Sequence, residues 1–377
     1  MAGKTFDRMR WVKRRLEEVA FHANRKRIPN RPKKVVVFPC GGADLGSSNL
    51  RAIEPARELL RCGWRAVVVP AKFDLAQRRR ILAIERPQIV LIQKGRHLLN
   101  HPSVADGRPY IFDIDDADYL SEGQRQQVEG LVRHASRVVA GSSSVANWCR
   151  QYNRRVEVIW TCTRPSAAVQ PERDRENVVT WAHSDPEGYP MEAEFVRTVM
   201  SKVTPRKGLV FRLYGVKDQA RLSRQYEGAL PYQANLEVRP YMSYEKFLAS
   251  LREAAIGLHV VAEGSPYSLG KSFGKVLAYL DSGVAVIASP ALDHPRFFIS
   301  GVNGVLPPHN AELWAQAVDE LLDAPDRRRA IVAKAYGDFT NRLTMDVFAY
   351  RLGAAMDKVI GHDQGLVHQD GHEFRGV

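Results

Sequence analysis

The chain has 377 residues, a length that predicts two or three domains. Apolar residues make up 45% and charged residues 26%, a balance typical of globular proteins that excludes a disordered or collagen-like chain. Basic side chains outnumber acidic ones by 55 to 42, which gives a net charge of +13. No apolar run approaches the ~18 residues that a membrane-spanning helix needs.

The N-terminus lacks the continuous apolar core of a secretory signal. The four cysteines lie far apart in the sequence and form neither a C-x-x-C pair nor a disulfide framework. These features predict a reduced, cytoplasmic protein without a cysteine-based zinc site.

The positive charge is concentrated in residues 1–34, which hold twelve Lys and Arg against three acids. Apolar side chains recur there every three or four residues, at Phe6, Met9, Val12, Leu16, Val19 and Ala23. This spacing predicts an amphipathic helix. Such a helix either lies on an anionic membrane surface, at the inner face of the membrane, or packs on the body with its basic face in water. Nucleic acid is the less favoured partner, because no aromatic side chains interleave with the charges.

From residue 34 onward, short β-branched runs alternate with helical periods. In the first half, strands are predicted at Val35–Phe38, Ala66–Val69, Gln88–Ile92, Tyr110–Asp113, Arg137–Ala140 and Val156–Ile159, with helices at Asn49–Cys62 and Leu75–Ile84. In the second half, strands are predicted at Val178–Trp181, Leu209–Tyr214, Leu236–Val238, Ile256–Val261 and Val284–Ala288, before helices at Ala311–Leu322, Pro325–Phe339 and Thr344–Ile360. The pattern predicts an α/β fold with parallel, doubly wound sheets.

A polar, proline-containing stretch, Arg164–Asn177, divides the two halves and is the predicted linker. The predicted organisation is a basic arm at 1–34, a first domain at 35–165, a second at 175–343, a closing helix at 344–360 and a polar tail at 361–377. Two doubly wound domains place a ligand cleft between the carboxyl ends of their sheets.

The loop after the first predicted strand is rich in glycine and serine, but it lacks the G-x-G-x-x-G fingerprint of dinucleotide-binding proteins. We predict that it contributes to the cleft, although ordinary turn residues would have the same composition. The predicted cleft residues of this half are Gly41, Gly42, Ser47, Ser48, Arg51, Lys94 and Asp116.

The segment after Ile256–Val261 holds the more specific pattern. Its predicted anion-binding residues are Gly264, Ser265, Ser268, Gly270, Lys271, Ser272 and Lys275. A helix predicted at Lys271–Asp281 would direct its free N–H groups at a diphosphate. A capped, solvated helix start has a similar composition and remains the alternative.

Residues 271–289 read K-S-F-G-K-V-L-A-Y-L-D-S-G-V-A-V-I-A-S. They resemble the motif K-S-x-x-K-x-x-E-Y-x-A-x-G-x-P-V-V-A-S of family-4-like glycosyltransferases of the GT-B fold. His294 and the Gly301–Val305 turn match the continuation of that motif, and Ala254–Leu258 matches the strand before it. Looser similarity to such enzymes extends over about residues 35–360.

The resemblance implies a GT-B architecture: two Rossmann-like domains facing across a cleft, with a C-terminal helix returning to the first. It implies transfer of a sugar from a nucleotide-sugar donor, held by the second domain, to an acceptor hydroxyl near the first. Transfer in that family usually proceeds with retention, without a metal and without a cofactor beyond the nucleotide-sugar substrate. The acceptor would be a glycan, a lipid-linked sugar or a small molecule, in the assembly of cell-surface glycans or related glycoconjugates.

The chain departs from the family pattern at a pair of glutamates, whose positions are occupied by Gly270 and Ala278. After the first strand of the second domain, His183 stands near the family's phosphate-binding position, where it contacts phosphate or serves a structural role. The aspartates of residues 113–118 are not read as metal ligands. The missing glutamates leave a second interpretation open, a catalytically silent GT-B scaffold or partner protein.

Overall fold

The computed structural model describes residues 2–166, 175, 177–183, 185–216, 226, 228–272, 274 and 276–369. The strands are β1 (Lys33–Phe38), β2 (Trp64–Val68), β3 (Ile89–Gln93), β4 (Tyr110–Ile114), β5 (Arg137–Ala140), β6 (Val156–Val158), β7 (Val178–Ala182), β8 (Val210–Val216), β9 (Asn235–Pro240), β10 (Ile256–His259) and β11 (Ala285–Ala288). The predicted strands are therefore confirmed, with ends that shift by a few residues.

Helices connect most of these strands and follow the last one. They are α1 (Ala2–Arg27), α2 (Gly46–Ser48), α3 (Glu54–Glu58), α4 (Leu75–Glu85), α5 (Arg125–His134), α6 (Ser143–Arg150), α7 (Pro190–Lys202), α8 (Tyr244–Leu251), α9 (Pro266–Leu269), α10 (Val276–Asp281), α11 (His294–Phe297), α12 (Ala311–Asp323), α13 (Pro325–Arg342) and α14 (Met345–Gln369). A π-helical turn at Asn49–Ile53 joins α2 to α3.

The strands form two sheets. The first has the order β2-β1-β3-β4-β5-β6 and the second the order β11-β10-β7-β8-β9. The registered pairs described for both sheets are parallel, for example Val36 with Val67 and with Val90. The central strands are buried along almost their whole length, as expected of parallel sheets covered on both faces. The predicted α/β class is confirmed.

By the density of its contacts, the chain divides into two compact units. The first comprises residues 1–113, 130–138 and 349–377, and the second comprises 114–129 and 139–348. The predicted boundaries near residues 165 and 343 do not coincide with this division and stay predictions. Most of the predicted linker, at 167–174 and 176, lies outside the described residues.

The C-terminal helix α14 belongs to the first unit from Ala349 onward. Its Asp357 carboxylate accepts a hydrogen bond of 2.6 Å from the ammonium of Lys33, at the start of β1. Leu352 and Met356 are fully buried. The predicted return of this helix to the first half is therefore observed. The helix continues to Gln369, nine residues beyond the predicted end, and residues 370–377 lie outside the described chain.

The predicted N-terminal helix is present as α1, but the part of its predicted apolar face whose side chains are described, Leu16, Val19 and Ala23, is exposed. Leu16 and Val19 are each 65% exposed. The adjoining face makes the contacts instead, through Glu18, which is 8% exposed, and Phe21, whose ring lies 5.3 Å from that of Phe73. The side chains of Phe6, Met9 and Val12 lie outside the described residues.

Arg51, just before α3, forms a buried ion pair with Asp113 at the end of β4. Its Nε and terminal nitrogen donate to the two carboxylate oxygens at 3.1 and 2.7 Å, with both side chains at most 1% exposed. A bidentate geometry of this kind offsets the cost of removing two charges from water. The pair fixes the helix start against the carboxyl end of the first sheet.

Replacing Arg51 with methionine is expected to destabilise the protein by about 3–5 kcal/mol, because the buried Asp113 carboxylate loses its bidentate pairing with the guanidinium. Urea unfolding measures the change. The double variant Arg51→Met, Asp113→Leu should recover much of the loss. Arg57→Met is the control, since Arg57 pairs with Glu54 at the surface and its loss should cost about 1 kcal/mol or less. Equal costs for the two arginines would contradict the assignment.

Candidate functional site

The carboxyl ends of β7, β10 and β11 lie side by side in the second sheet. Leu258 of β10 is in register with Trp181 on one side and with Ile287 on the other. Residues that follow these strands therefore meet at one edge, the usual place for ligands in a doubly wound sheet. His183 follows β7, and Ser289 follows β11.

Tyr279 of α10 connects the ends of two neighbouring strands at this edge. Its hydroxyl donates to the carbonyl of Leu258 at 3.1 Å and accepts from the amide of Ala182 at 2.8 Å. The ring passes so close to Gly257 that a Cβ there would lie 2.7 Å from it. Burial raises the pKa of the Tyr279 hydroxyl, so it stays a donor. The ends of β7 and β10 are thereby fixed relative to each other.

A buried carboxylate forms the floor of the site. Glu192, in the first turn of α7, is 4% exposed and accepts hydrogen bonds from the hydroxyl of Ser268 and, at 3.4 Å, from the amide of Ala262. The Ser268 amide in turn donates to Ser265 Oγ, the N-cap of α9, at 3.2 Å. Glu192 therefore holds the loop after β10 in place.

Lys271 lies on an aromatic platform beside this floor. Its ammonium donates to the hydroxyl of Tyr189 and lies 4.1 Å from the centre of that ring and 5.1 Å from the ring of Tyr267. The ring of His183 packs 4.0 Å from that of Tyr189. Cation–π contacts of this kind hold a charge in place without neutralising it.

These groups line one small cavity of about 20 Å³, which is room for roughly one water molecule. Its lining includes His183, Glu192, His259, Ser268 and Lys271. Binding sites for drug-sized ligands usually measure about 300–1,000 Å³. The site in this conformation is a polar floor and not an open nucleotide pocket.

Two histidines close the floor. The rings of His259 and His294 meet edge to face at 4.8 Å, and both are at least 94% buried. The Nδ1 of His294 donates to the carbonyl of Ser289 at 2.8 Å. Burial lowers the pKa of His294 to about 4, and burial, with His294 and Lys271 nearby, lowers that of His259 well below its usual value. Both imidazoles are neutral at pH 7.

The structure brings several of the predicted anion-binding residues together. His183, Ser268, Lys271 and Ser272 share the cavity. Ser265 caps α9, and Gly264 is exposed, while Lys275 lies outside the described residues.

The predicted helix Lys271–Asp281 is wrong at its start. A four-residue helix, α9, ends at Leu269, and α10 begins only at Val276. Lys271 and Ser272 therefore lie between two short helices and do not form the first turn of one. The binding of a diphosphate by N–H groups of this segment stays a prediction.

Close packing explains why residue 270 is a glycine, which the sequence motif did not suggest. A Cβ at this position would lie 2.2 Å from the Cβ of Ala117, which belongs to the same compact unit. A glutamate does not fit here without rearrangement. The other missing glutamate corresponds to Ala278, which is 7% exposed.

Several residues of the site were missed from the sequence. Glu192, Tyr189 and His259 carry no recognisable motif, although the Pro190 that opens α7 marks a helix start close to the first two. Glu192 and Tyr189 reach Ser268 and Lys271 across 76 and 82 residues of sequence.

The predicted cleft residues of the first half lie at the carboxyl end of its sheet. Ser48 is buried, where its hydroxyl donates to Gln93 at 3.2 Å and accepts from the Gly41 amide at 3.0 Å. Lys94 is 1% exposed and has a left-handed backbone, with φ of 57°. Gly42 is exposed, and Ser47 and Asp116 are half-buried. A binding role for these residues and for Arg51 stays a prediction.

Within the part of the chain that the structure describes, no group of three or more His, Cys, Asp or Glu side chains is arranged to hold a metal ion. Over the same residues, no helix combines the length and the apolar character needed to cross a membrane.

A comparison with protein families finds a match in the second half of the chain. Residues 192–351 match the family model described as glycosyl transferase-like. The matched segment is less than half of the chain. It contains Glu192, the loop of Lys271 and the edge formed by β10 and β11. A comparison with curated protein sequences finds no match.

Solved structures show the same fold over most of the chain. Anabaena HepE in complex with UDP and glucose superposes with a TM-score of 0.63 at 13% identity, over 86% of this chain and 99% of HepE. Sucrose-phosphate synthase from Thermosynechococcus elongatus gives 0.64 at 12% identity, over 88% and 100%. A glycosyltransferase from Rickettsia africae gives 0.63 at 12% identity, over 88% and 99%.

The fold that the resemblance implied is therefore confirmed. The protein has a GT-B fold, and its residues 192–351 are similar to the glycosyl transferase-like family model.

The buried histidines predict a loss of stability in mild acid. The unfolded chain takes up a proton at His294 as the pH falls below about 6.5, whereas the folded chain does so only near pH 4. Stability should therefore fall between these values, and His294→Gln should make the slope shallower by up to about 1.4 kcal/mol per pH unit.

Urea unfolding at a series of pH values measures the slope. His134→Gln, at an exposed position, is the matched control and should leave the slope as in the wild type. An unchanged slope in His294→Gln would show that His294 is not held neutral by the fold.

Proposed function

We propose that the protein transfers a sugar from a nucleotide-sugar donor to an acceptor hydroxyl. The observation that carries this proposal is the position of Lys271. Its ammonium donates to the hydroxyl of Tyr189 and lies over the rings of Tyr189 and Tyr267, at the carboxyl edge of the sheet, within the residues that match the glycosyl transferase-like model. HepE, which shares the fold, has been crystallised with UDP and with UDP-glucose.

The chemistry of transfer requires charge stabilisation on the departing nucleoside diphosphate. Lys271 supplies a cation for this charge when its ammonium turns from Tyr189 toward the diphosphate. His183 accepts a hydrogen bond on Nδ1 from the Asp185 amide at 3.2 Å, so the neutral ring carries its proton on Nε2, where it donates. Glu192 keeps the loop in place and has no direct role in the chemistry.

The same proposal includes the stereochemistry of transfer, its metal and cofactor requirement, the acceptor and the cellular location. Transfer proceeds with retention and needs neither a metal nor a cofactor beyond the nucleotide-sugar. The acceptor is a glycan, a lipid-linked sugar or a small molecule, and the protein acts in the cytoplasm in polysaccharide or glycoconjugate assembly. These features rest on the resemblance of residues 271–289 to the family motif.

A specific observation favours a second candidate function, that of a catalytically silent scaffold. Gly270 packs against Ala117 and Ala278 is nearly buried, so neither position offers the carboxylate found in the family. A silent protein need not retain a positioned lysine, and donor binding therefore separates the two functions.

Replacing Lys271 with alanine is expected to weaken binding of the donor nucleotide by about 1–3 kcal/mol, since one charged hydrogen bond is lost. A thermal-shift screen against UDP, GDP, CMP, dTDP and their sugar conjugates first finds the nucleotide, and calorimetry then measures its affinity. The same loss is expected for Lys275→Ala.

The matched control is Lys202→Ala, because Lys202 lies in the same domain and pairs at the surface with Glu312 at 2.6 Å. It should bind as the wild type does. Donor binding unchanged in both Lys271→Ala and Lys275→Ala would place the nucleotide elsewhere. No binding of any nucleotide by the folded wild type would favour the silent scaffold.

We also propose that α1 lies on an anionic membrane surface. Leu16 and Val19 point to solvent from a segment with nine excess positive charges, and Arg15 beside them is 59% exposed. Apolar side chains enter the headgroup region, while each cation near the surface contributes about 1 kcal/mol.

The double variant Leu16→Glu, Val19→Glu should reduce binding to vesicles of phosphatidylglycerol and phosphatidylcholine by about tenfold or more, since two apolar contacts are lost. Vesicle flotation of the full chain measures this binding.

Leu98→Glu is the matched control, because Leu98 is 90% exposed and lies outside α1. Point variants are preferable to deleting residues 1–34, which removes the start of β1 and the partner of Glu85. Flotation of the double variant at the wild-type level would exclude this contact.

A further inference from the structure

An open groove runs beneath α1 in the first unit. It is bounded by α1, by the helical segment that ends in α3, and by β2, an edge strand of the first sheet. Its volume is about 740 Å³, in the range of sites that bind small organic ligands. Its wall is mainly apolar and includes Ala20, Phe21, Ile28, Ile53, Leu60 and Val68.

The groove exists because polar side chains hold α1 on the body. Glu17 pairs with Lys72 at 2.6 Å, Glu18 with Arg80 at 3.1 Å, and Arg25 with Glu85. Besides the contact of Phe21 with Phe73, these long side chains attach the helix at positions where a packed helix would normally place apolar ones. The larger apolar residues of this part of α1, Leu16 and Val19, are turned to solvent, and the small Ala20 lines the groove.

Protein interiors are close-packed, so an apolar groove of this volume marks a binding surface. The cationic side chains Arg25, Arg27, Arg57 and Lys72 line the groove, together with the acid Glu17 and the neutral Asn24. Three of these cations pair with acids: Arg25 with Glu85, Arg57 with Glu54 and Lys72 with Glu17. Glu85 also pairs with Arg65, so Arg27 and this second guanidinium leave an excess of positive charge beside the groove.

We propose that this groove binds the acyl chain of an anionic lipid, with the head group against the cationic residues. An apolar wall beside positive charge complements a hydrocarbon chain that ends in a phosphate. Leu16 and Val19 on the same helix would lie in the surface from which the lipid comes. The assignment rests on the proposed membrane contact of α1 and is independent of sugar transfer.

Ala20→Trp tests the groove, since a large side chain there fills it from the helix side. Ala23→Trp is the matched control, because Ala23 is also exposed on α1 but does not line the groove. Calorimetry of the full chain measures binding of lauroyl lysophosphatidic acid below its micelle-forming concentration. The wild type and Ala23→Trp should bind it equally, and Ala20→Trp at least about tenfold more weakly.

Two further ligands distinguish the contribution of the acyl chain to binding from that of the head group. Glycerol 3-phosphate, which has no chain, should not bind detectably, and dodecylphosphocholine, whose head group has no net charge, should bind several-fold more weakly. The far-ultraviolet circular dichroism of Ala20→Trp should match the wild type, so that a loss of binding reports on the groove.

Equal binding of lysophosphatidic acid by Ala20→Trp and the wild type, or no binding by the wild type, would overturn the proposal. A dimer that forms with concentration and disappears in Ala20→Trp would assign the groove to a second copy instead, and sedimentation velocity detects it. The failure of the membrane contact is distinguishable: Leu16→Glu, Val19→Glu would still float, while Ala20→Trp would still lose the lysolipid.

Discussion

The second sheet depends on one side chain passing beneath a glycine. Tyr279 bonds the carbonyl of Leu258 and the amide of Ala182, and it does so only because Gly257 leaves room for its ring. Two neighbouring strands are thus locked at the ends where function is concentrated in doubly wound folds. His183 follows one of these strands and the loop to Lys271 follows the other, so the geometry of the site derives from this contact.

The sequence predicted the sheets well, because buried parallel strands are short runs of β-branched residues that need no distant information. Lys271, Ser268 and His183 were found because they lie in or beside a local motif. Tyr189 and Glu192 were not, since their roles come from contacts with residues about eighty positions away. The sequence also predicted a helix start at Lys271, whereas α9 ends at Leu269 and α10 begins at Val276.

Contacts with distant residues also explain why the packed face of α1 was not predicted from the sequence. The apolar spacing of α1 correctly indicated a helix, yet the face that packs contains Glu18 and Arg25, whose partners Arg80 and Glu85 lie on α4. A hydrophobic pattern shows which face of a helix is apolar. In α1, however, ion pairs with the rest of the protein determine which face contacts the body. The fold can therefore be predicted from this sequence, whereas the face by which α1 docks and the distant contacts of the site cannot.

The attachment of α1 has a consequence for its behaviour in different ionic conditions. Glu17, Glu18 and Arg25 hold the helix through ion pairs, so dissolved salt weakens this part of its docking by screening, whereas many salts strengthen an apolar contact such as that of Phe21 with Phe73. A phosphate-rich surface also competes with these carboxylates for Lys72 and Arg80. The docking of the helix is thus sensitive to its electrostatic surroundings.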